Sequence, residues 1–194
     1  MPKQVDHTAR RLELLEAMMR ITRTHGWDGV SLRKLAAEAG VSMGMVQHYF
    51  TTKDEMLRFA IEMMAEDTRQ RIRDRTAALP EPRTPRQLAE TLLTEMIPNP
   101  RRRAIEAEGV KVWIRRFLLR PDSQATLHEG ATELRTALTN LIFSGRPGDK
   151  VDAQRDADTL IALLDGLIYH IVIGQQTAET ATAILTTQLD HIFR

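Results

Sequence analysis

Residues 31–53 read SLRKLAAEAGVSMGMVQHYFTTK, and this stretch decides the fold of the N-terminal part of the chain. Two short helices are predicted here, one after Ser31 and one after Ser42, because serine before an apolar-periodic run is a strong N-cap. Gly40 lies between them, where a left-handed C-terminal cap needs no Cβ atom. Two short helices joined by such a tight turn are typical of a helix-turn-helix, whose second helix enters the major groove of DNA.

The second predicted helix has side chains that suit the recognition of a base sequence. Val46 and Phe50 are apolar and four residues apart, so they are expected to point toward the core. Gln47 can bond an adenine edge with two hydrogen bonds, and a methionine can contact a thymine methyl group. Gly44 lets the helix backbone approach DNA closely. The side chains expected to face away from the core are those of Met43, Met45, Gln47 and His48.

A third helix is predicted from Lys53, and its N-terminal end adds candidate phosphate contacts. Thr52 and Glu55 have the spacing of a capping box, in which each side chain accepts a hydrogen bond from the other residue's backbone. Backbone amides at a helix N-terminus favour phosphate, so Lys53 is expected beside such a site. Tyr49 is a further candidate for a phosphate contact. The alternative interpretation is a helical hairpin that has no DNA-binding role.

At these residues the chain resembles the tetracycline-repressor (TetR) family of bacterial transcriptional regulators. The similar segment is LAAEAGVSMGMVQHYFTTKDEML, residues 35–57, and with the preceding helix the resemblance covers about residues 9–57. It implies an all-α homodimer that binds double-stranded operator DNA through its N-terminal domain and a small-molecule effector through its C-terminal domain. By position, the resemblance implies phosphate contacts for Ser31, Ser42, Tyr49 and Lys53. It implies base-facing positions for Arg33, Met43, Met45, Gln47 and His48.

Two positions of the second helix depart from the family pattern. Tyrosine often stands where this chain has Gln47, and threonine or serine often stands where it has Met45. The operator sequence therefore does not follow from the resemblance. The QHYF segment, residues 47–50, is similar to the branch of choline-responsive BetI-type regulators.

Composition agrees with a helical DNA-binding regulator. The 194 residues have 5% aromatic content, a formal net charge of +1 and no cysteine. With so small a charge, DNA affinity is expected to come from the local placement of cations and from doubling in a dimer. The absence of cysteine excludes disulfides and thiolate catalysis, and it suits the cytoplasm. The first residues, MPKQVDHTARR, lack the apolar core of a secretion signal, and no run approaches about 18 apolar residues, so neither secretion nor a membrane span is expected.

Motifs for catalysis, metal binding and cofactor binding are not evident. The sequence has no GxSxG, glycine-rich phosphate loop, HExxH or paired-carboxylate motif. Its six histidines lack the spacing of metal ligands. We therefore expect no enzymatic activity, no metal and no cofactor. A helical adaptor protein without specific DNA affinity and a small helical enzyme remain the alternatives.

Proline-containing breaks divide the chain into about nine predicted helices. The clearest break is LPEPRTP, residues 79–85, which ends the fourth helix. We predict an all-α fold with a DNA-binding domain at residues 1–52 and an effector-binding and dimerisation domain at residues 53–194, connected by helix 4. The five C-terminal helices are predicted near residues 85–97, 101–120, 122–143, 152–175 and 178–193. A solvated face of helix 4 is predicted for Arg69, Arg71, Arg73 and Arg75.

The last two predicted helices have apolar stripes that are wide for a single core face. The stripe of the helix at residues 152–175 contains Leu160 and Leu164, and Leu167 widens it. We predict dimerisation through these two helices, with the alternative that both stripes belong to the core of one chain. The predicted interface residues are Leu160, Leu164, Leu167, Ile171, Leu185 and Leu189.

An effector pocket is predicted beside the helix at residues 101–120, which lines the ligand cavity in the resembling branch. Trp113 and Phe117 are four residues apart on one face, and Met96 lies on the preceding helix. Plain core packing explains Trp113 and Phe117 equally well. A tryptophan in the pocket favours an apolar or cationic ligand, whereas an inward Arg116 favours an anion. The predicted pocket residues are Met96, Trp113, Arg116 and Phe117.

Overall fold

The chain is helical throughout the part that its computed structural model describes, residues 7–98 and 121–194. The helices are α1 (His7–His25), α2 (Leu32–Ala39), α3 (Met43–Tyr49), α4 (Lys53–Ala77), α5 (Pro85–Met96), α6 (Pro121–Gly145), α7 (Lys150–Val172) and α8 (Ala178–Ile192). A 3-10 turn at Trp27–Gly29 follows α1. The all-α fold class is confirmed, and eight of the nine predicted helices lie in these ranges. The helix predicted at residues 101–120 lies outside the described residues.

Two separate hydrophobic cores form, and α4 extends from one toward the other. The N-terminal core joins α1, α2 and α3 to the first turns of α4, where Met56 is fully buried and Ala60 is 7% exposed. The C-terminal core joins α5, α6, α7 and α8 around residues such as Leu93 and Leu138, both fully buried. Because α4 contributes to the first core and contacts α5 near its other end, it connects the two halves of the described chain.

The six residues predicted as a dimer interface lie in the C-terminal core instead. Each is at most 6% exposed within its own chain, so almost no surface remains for a partner to cover. That part of the prediction was wrong because an apolar stripe serves the core of its own chain before any partner. The corrected residues are Leu160, Leu164, Leu167, Ile171, Leu185 and Leu189.

Ion pairs fasten α5 to its neighbours on two sides. Arg71 of α4 donates from Nε to Oε2 of Glu95 at 2.9 Å, and its side chain is 23% exposed, so the prediction of a solvated arginine face was wrong at this position. On the other side, Arg86 of α5 donates from Nε to Oδ1 of Asp190 in α8 at 2.9 Å. The α5 helix is therefore held between α4 and α8 by side chains as well as by packing.

Within the described residues, no helix carries an apolar stretch long enough to cross a bilayer.

Candidate nucleic-acid interface

In the turn between α2 and α3, the cap residues predicted from the sequence make the expected contacts. The Ser31 side chain caps α2 by accepting a hydrogen bond from the Lys34 amide at 3.2 Å. Gly40 ends α2 in the left-handed conformation, with φ 66° and ψ 29°. Val41 then donates from its amide to the Ala36 carbonyl at 3.0 Å. The reversal is therefore closed by backbone bonds, which fixes the direction in which α3 leaves α2.

One face of α3 is buried and the opposite face is exposed, as the sequence predicts. Ser42 caps the helix by accepting from the Met45 amide at 3.1 Å. Val46 is fully buried, and Phe50, which follows the helix, is 2% exposed. This packing leaves one short exposed surface, called here the α3 face. Its residues are Met43, Gly44, Met45, Gln47 and His48.

The fold does not itself require the glycine in the middle of the α3 face. A Cβ atom on Gly44 would meet only the Ser42 Oγ, at 3.9 Å, which is an ordinary contact distance. Its backbone is also outside the left-handed region that favours glycine. Glycine at this position costs helix stability relative to alanine and leaves the backbone open to an approaching partner.

Two exposed cations lie at the start of α2, the helix that packs against α3. Arg33 and Lys34 at the start of α2 are exposed, and neither forms an ion pair with a described residue. The carboxylate of Glu38, also on α2, is neutralised by Arg20 of α1 with an Nε–Oε1 distance of 2.7 Å. A chain of net charge +1 can thus present free cations where a polyanion would bind.

Lys53 at the start of α4 has an intramolecular role that the sequence did not reveal. Its Nζ donates to the Trp27 carbonyl oxygen at 2.8 Å and lies 5.2 Å from the centroid of the Trp27 ring. These contacts hold the 3-10 turn after α1 against the N-terminus of α4. An ammonium group has three donors, so a phosphate contact by Lys53 stays compatible with this geometry and remains a prediction.

Tyr49 and Glu55 make contacts that the sequence did not predict. Tyr49 is 8% exposed and packs in the N-terminal core, with its ring edge-on to that of His48 at 5.0 Å. Its main visible role is packing, and its phosphate contact stays a prediction. Thr52 caps α4 by accepting from the Glu55 amide at 3.1 Å. The Glu55 carboxylate, however, accepts from the amide of Thr51 at 2.7 Å, one residue before the position of a standard capping box.

Arg11 of α1 packs on two phenylalanine rings, whereas its sequence position predicted a solvated side chain or a DNA contact. Its guanidinium carbon lies 4.9 Å from the Phe59 ring centroid and 5.8 Å from that of Phe50. The contact links α1, the end of α3 and the second turn of α4 through a cation on aromatic faces. The three residues are distant in sequence, so no local spacing signals that they meet.

The predicted effector pocket is described only at Met96. This residue is partly buried and packs against the C-terminal core. Trp113, Arg116 and Phe117 lie outside the described residues. In the described part of the chain, no group of three or more histidine, aspartate or glutamate side chains is arranged to hold a metal ion.

Comparison with known families agrees with this geometry at both ends of the chain. Residues 14–59 match the family described as bacterial regulatory proteins, tetR family, and residues 85–194 match that described as BetI-type transcriptional repressor, C-terminal. The chain belongs to the TetR family. The resemblance seen in residues 35–57 is thereby confirmed, and this TetR-family protein is a DNA-binding transcriptional regulator whose helix-turn-helix is α2–α3.

Individual relatives cover nearly the whole chain. The HTH-type transcriptional regulator PksA of Bacillus subtilis (strain 168) is 32% identical over 174 residues, which are 89% of this chain and 83% of PksA. The HTH-type transcriptional regulator BetI of Agrobacterium fabrum (strain C58) is 30% identical over 168 residues, which are 86% of this chain and 79% of BetI. These relatives are transcriptional regulators, in agreement with the expected class of protein.

A solved structure with a bound small molecule shares the fold. It is a putative transcriptional regulator from Saccharomonospora viridis in complex with choline, and it superimposes with a TM-score of 0.75 at 21% identity. The match covers 95% of this chain and 97% of that one.

Proposed function

We propose that this TetR-family regulator is a repressor that binds a palindromic operator as a homodimer and leaves it when a small cationic molecule binds. The observation that carries the proposal is the α3 face, an exposed surface of base-compatible side chains on a helix whose opposite side is buried. The match of residues 85–194 to a BetI-type repressor C-terminal domain supports the repressor role.

Base selection is assigned to the α3 face and affinity to the cations around it. Gln47 is exposed and can pair with an adenine edge, a contact worth about 1–3 kcal/mol of discrimination. The hydroxyl groups of Ser31 and Ser42 accept from helix amides and can still donate to phosphate. Arg33 contributes charge from the start of α2, and its proposed role at the bases depends on how deeply α2 approaches the groove.

Fluorescence anisotropy with DNA duplexes from upstream of the protein's own coding sequence tests this assignment. We expect wild-type protein to prefer one duplex over a scrambled duplex of the same composition. Gln47→Ala should relax the preference at one base position of each half-site. Gln154→Ala is the matched control, because Gln154 is exposed on α7 and far from α3 in the chain. Equal binding of all duplexes by wild-type protein would instead favour a helical adaptor.

Dimerisation is assigned to the face of α7 opposite its core stripe. Ala162, Gly166, Tyr169 and Ile173 lie on that face at helical spacing, and all are exposed. Tyr169 is 51% exposed and Ile173 is 46% exposed, and because they share one face they form a continuous apolar surface that a partner can cover. Exposed Ala183 and Thr187 occupy the corresponding face of α8. A second copy of the chain covering these faces would pair two α3 helices for successive major grooves about 34–36 Å apart.

Release of DNA is assigned to a change in the position of α4. The helix is held in the N-terminal core by Met56 and Ala60 and is joined to α5 through Arg71, Arg75 and Glu95. A ligand beside α5 can bias α4 only if it binds one position of α4 more tightly than the other. A hundredfold preference corresponds to about 2.7 kcal/mol, which lies within the usual range of coupling energies.

A small quaternary ammonium molecule is the proposed class of effector. The BetI-type C-terminal match, and choline bound in a protein of the same fold, both support it. The predicted pocket residue Trp113 supports it as well, since tryptophan offers a face for a cation.

Choline and its neutral carbon isostere, 3,3-dimethylbutan-1-ol, test the effector class on the protein–operator complex. We expect choline to dissociate the complex at concentrations where the isostere has no effect, because only choline carries the charge. Trp113→Ala should keep operator binding and lose the response to choline. A complex that responds equally to both compounds, or to an organic anion alone, would contradict the cationic class.

A further inference from the structure

Two methionines are exposed on the DNA-reading helix of a protein whose other described methionines are more protected. Met43 is 39% exposed and Met45 is 37% exposed. Met18 and Met56 are buried at 4% and 0%. The partly buried methionines are Met19, Met63, Met64 and Met96. The exposed fraction of a methionine residue is therefore highest on α3 and lowest in the N-terminal core.

The chain contains no cysteine, so no thiol competes for an oxidant. Hydrogen peroxide transfers one oxygen atom to a methionine sulfur, the O–O bond breaks and water leaves, so the sulfur is oxidised by two electrons and the peroxide is reduced. The product is methionine sulfoxide, a polar and chiral side chain that methionine sulfoxide reductases convert back. Among the methionines that the structure describes, Met43 and Met45 are thus the first expected sites of a reversible change.

The fold of α3 does not depend on the side chains of these two residues. The helix is fixed by the Ser42 cap, in which Met45 takes part only through its backbone amide, and by buried Val46. Neither Met43 nor Met45 belongs to the N-terminal core. Oxidation at these positions should therefore leave the fold intact and change only the surface that meets DNA.

A sulfoxide on that surface opposes the contact that the thioether would make. Its oxygen accepts hydrogen bonds, and so do thymine O4, guanine O6 and N7, and the phosphate oxygens in the major groove. A polar sulfoxide replaces the apolar contact that the thioether would make with a thymine methyl group. The sulfoxide oxygen also loses its hydration when α3 binds in the major groove, and this desolvation costs free energy.

We propose that Met43 and Met45 are an oxidation site through which peroxide-type oxidants reversibly weaken operator binding. The proposal rests on the proposed function, since it requires α3 to lie against the operator. An oxidant would act directly on the α3 face that binds DNA, and its effect would require neither a movement of α4 nor a ligand in the effector pocket.

The experiment treats full-length protein with hydrogen peroxide, with and without its operator duplex. Mass spectrometry of peptides then measures sulfoxide at each methionine, and anisotropy measures the operator Kd. Of the eight methionines between residues 18 and 96, we expect Met43 and Met45 to be oxidised first in free protein and to be protected by the operator. The Kd of the oxidised protein should rise at least roughly tenfold, about 1.4 kcal/mol. Treatment with both sulfoxide reductases should restore the original Kd.

Leucine variants separate this site from general damage. Each protein is compared with its own untreated sample, so any change in starting affinity cancels. Met43→Leu/Met45→Leu should lose most of the peroxide effect on Kd, whereas the control Met63→Leu/Met64→Leu should keep it. Unchanged Kd despite sulfoxide at both positions, or an equal loss in the Met43→Leu/Met45→Leu protein, would overturn the proposal.

Failure of the proposed function gives a different result. If untreated wild-type protein shows no preference for any upstream duplex, operator binding fails before the oxidant is added, and both proposals fall. If binding is specific but the operator leaves Met43 and Met45 open to peroxide, only the oxidation site is overturned.

Discussion

Arg71 of α4 and Glu95 of α5 form an ion pair across 24 residues of sequence, with 2.9 Å between Nε and Oε2. Arg75 contacts the other oxygen of the same carboxylate. The Glu95 side chain is only 11% exposed. Burial by itself raises the pKa of Glu95, but hydrogen bonds from Arg75 and then Arg71 outweigh it, so the pKa lies below its usual value of 4.5. An ionised carboxylate therefore joins the DNA-binding half of the chain to the C-terminal half.

Glu95→Gln should destabilise the protein at neutral pH, by about 1–3 kcal/mol, because two arginines lose a charged acceptor. A carboxyl group with a lowered folded-state pKa stabilises the fold above its unfolded pKa, and this stabilisation is lost as pH falls through the folded pKa. Urea unfolding of both proteins from neutral to acid pH measures the difference, which should shrink toward zero in acid. Glu62→Gln is the control, since Glu62 is an exposed glutamate on α4.

The same substitution also tests the role of this contact in the proposed release of DNA. If Glu95 couples α4 to the C-terminal half, the variant should bind the operator but respond more weakly to an effector. A Glu95→Gln protein with an unchanged effector response would show that coupling does not pass through Glu95, whatever its effect on stability.

The ion pair between Arg71 and Glu95 could not be predicted from the sequence. The pattern of arginines on α4 predicted a solvated face because alternation with acidic residues looks the same whether or not another helix packs there. The carboxylate that binds Arg71 belongs to a different helix, and no local spacing connects the two. Contacts of this kind require the tertiary arrangement.

The helix-turn-helix was predictable because its signals are local. Ser31, Gly40 and Ser42 fix helix ends by bonds to backbone atoms within a few residues, so the sequence contains all the participants. The proposed dimer face was not predictable in the same way. Leu164 and Gly166 lie two residues apart on α7, and only the position of the other helices decides which of them meets the core.

Gly166→Arg should give a folded monomer with weak operator affinity. A Cβ atom at Gly166 meets nothing within 4 Å, so the chain itself tolerates a side chain there. Arginine also favours a helix over glycine by roughly 0.5–1 kcal/mol. Across a two-fold axis the substitution appears twice and places like charges together. Sedimentation velocity measures the assembly state, and Asn140→Arg on the exposed side of α6 is the control.

Leu164→Ala tests whether the buried stripe of α7 belongs to the core of one chain or to the dimer interface. Leu164 is 1% exposed, so its truncation should cost about 2–5 kcal/mol of stability through lost burial and a cavity. The folded fraction of this variant should remain dimeric. A dimeric Gly166→Arg protein, or a stable monomer from Leu164→Ala, would contradict the proposal that the interface lies on the Gly166 face of α7.

Lys53→Ala should lower both stability and the salt dependence of operator binding. The side chain donates to the Trp27 carbonyl and lies over the Trp27 ring, so its loss should cost about 1 kcal/mol of unfolding free energy. Each lost phosphate contact should also reduce the slope of log K against log salt by roughly one unit. Lys150→Ala is the matched control, because Lys150 is exposed at the start of α7, is far from α3 in the chain and pairs with no described residue. Reduced stability with an unchanged salt slope in Lys53→Ala would limit Lys53 to a structural role.

Gly44→Ala should change stability and DNA binding in opposite directions. Alanine favours a helix over glycine by roughly 0.5–1 kcal/mol, and the added Cβ meets only the Ser42 Oγ at an ordinary distance, so the variant should be more stable. The same methyl group projects from the exposed α3 face, where it would hold the backbone away from a base edge and weaken operator binding. Gly130→Ala on α6 is the control, since a Cβ there meets nothing within 4 Å and the variant should gain stability without losing affinity. Thermal unfolding and anisotropy on the same samples measure the two effects. If Gly44→Ala binds the operator as tightly as wild-type protein, the α3 backbone does not approach the DNA closely, and base contacts must come from longer side chains such as Gln47.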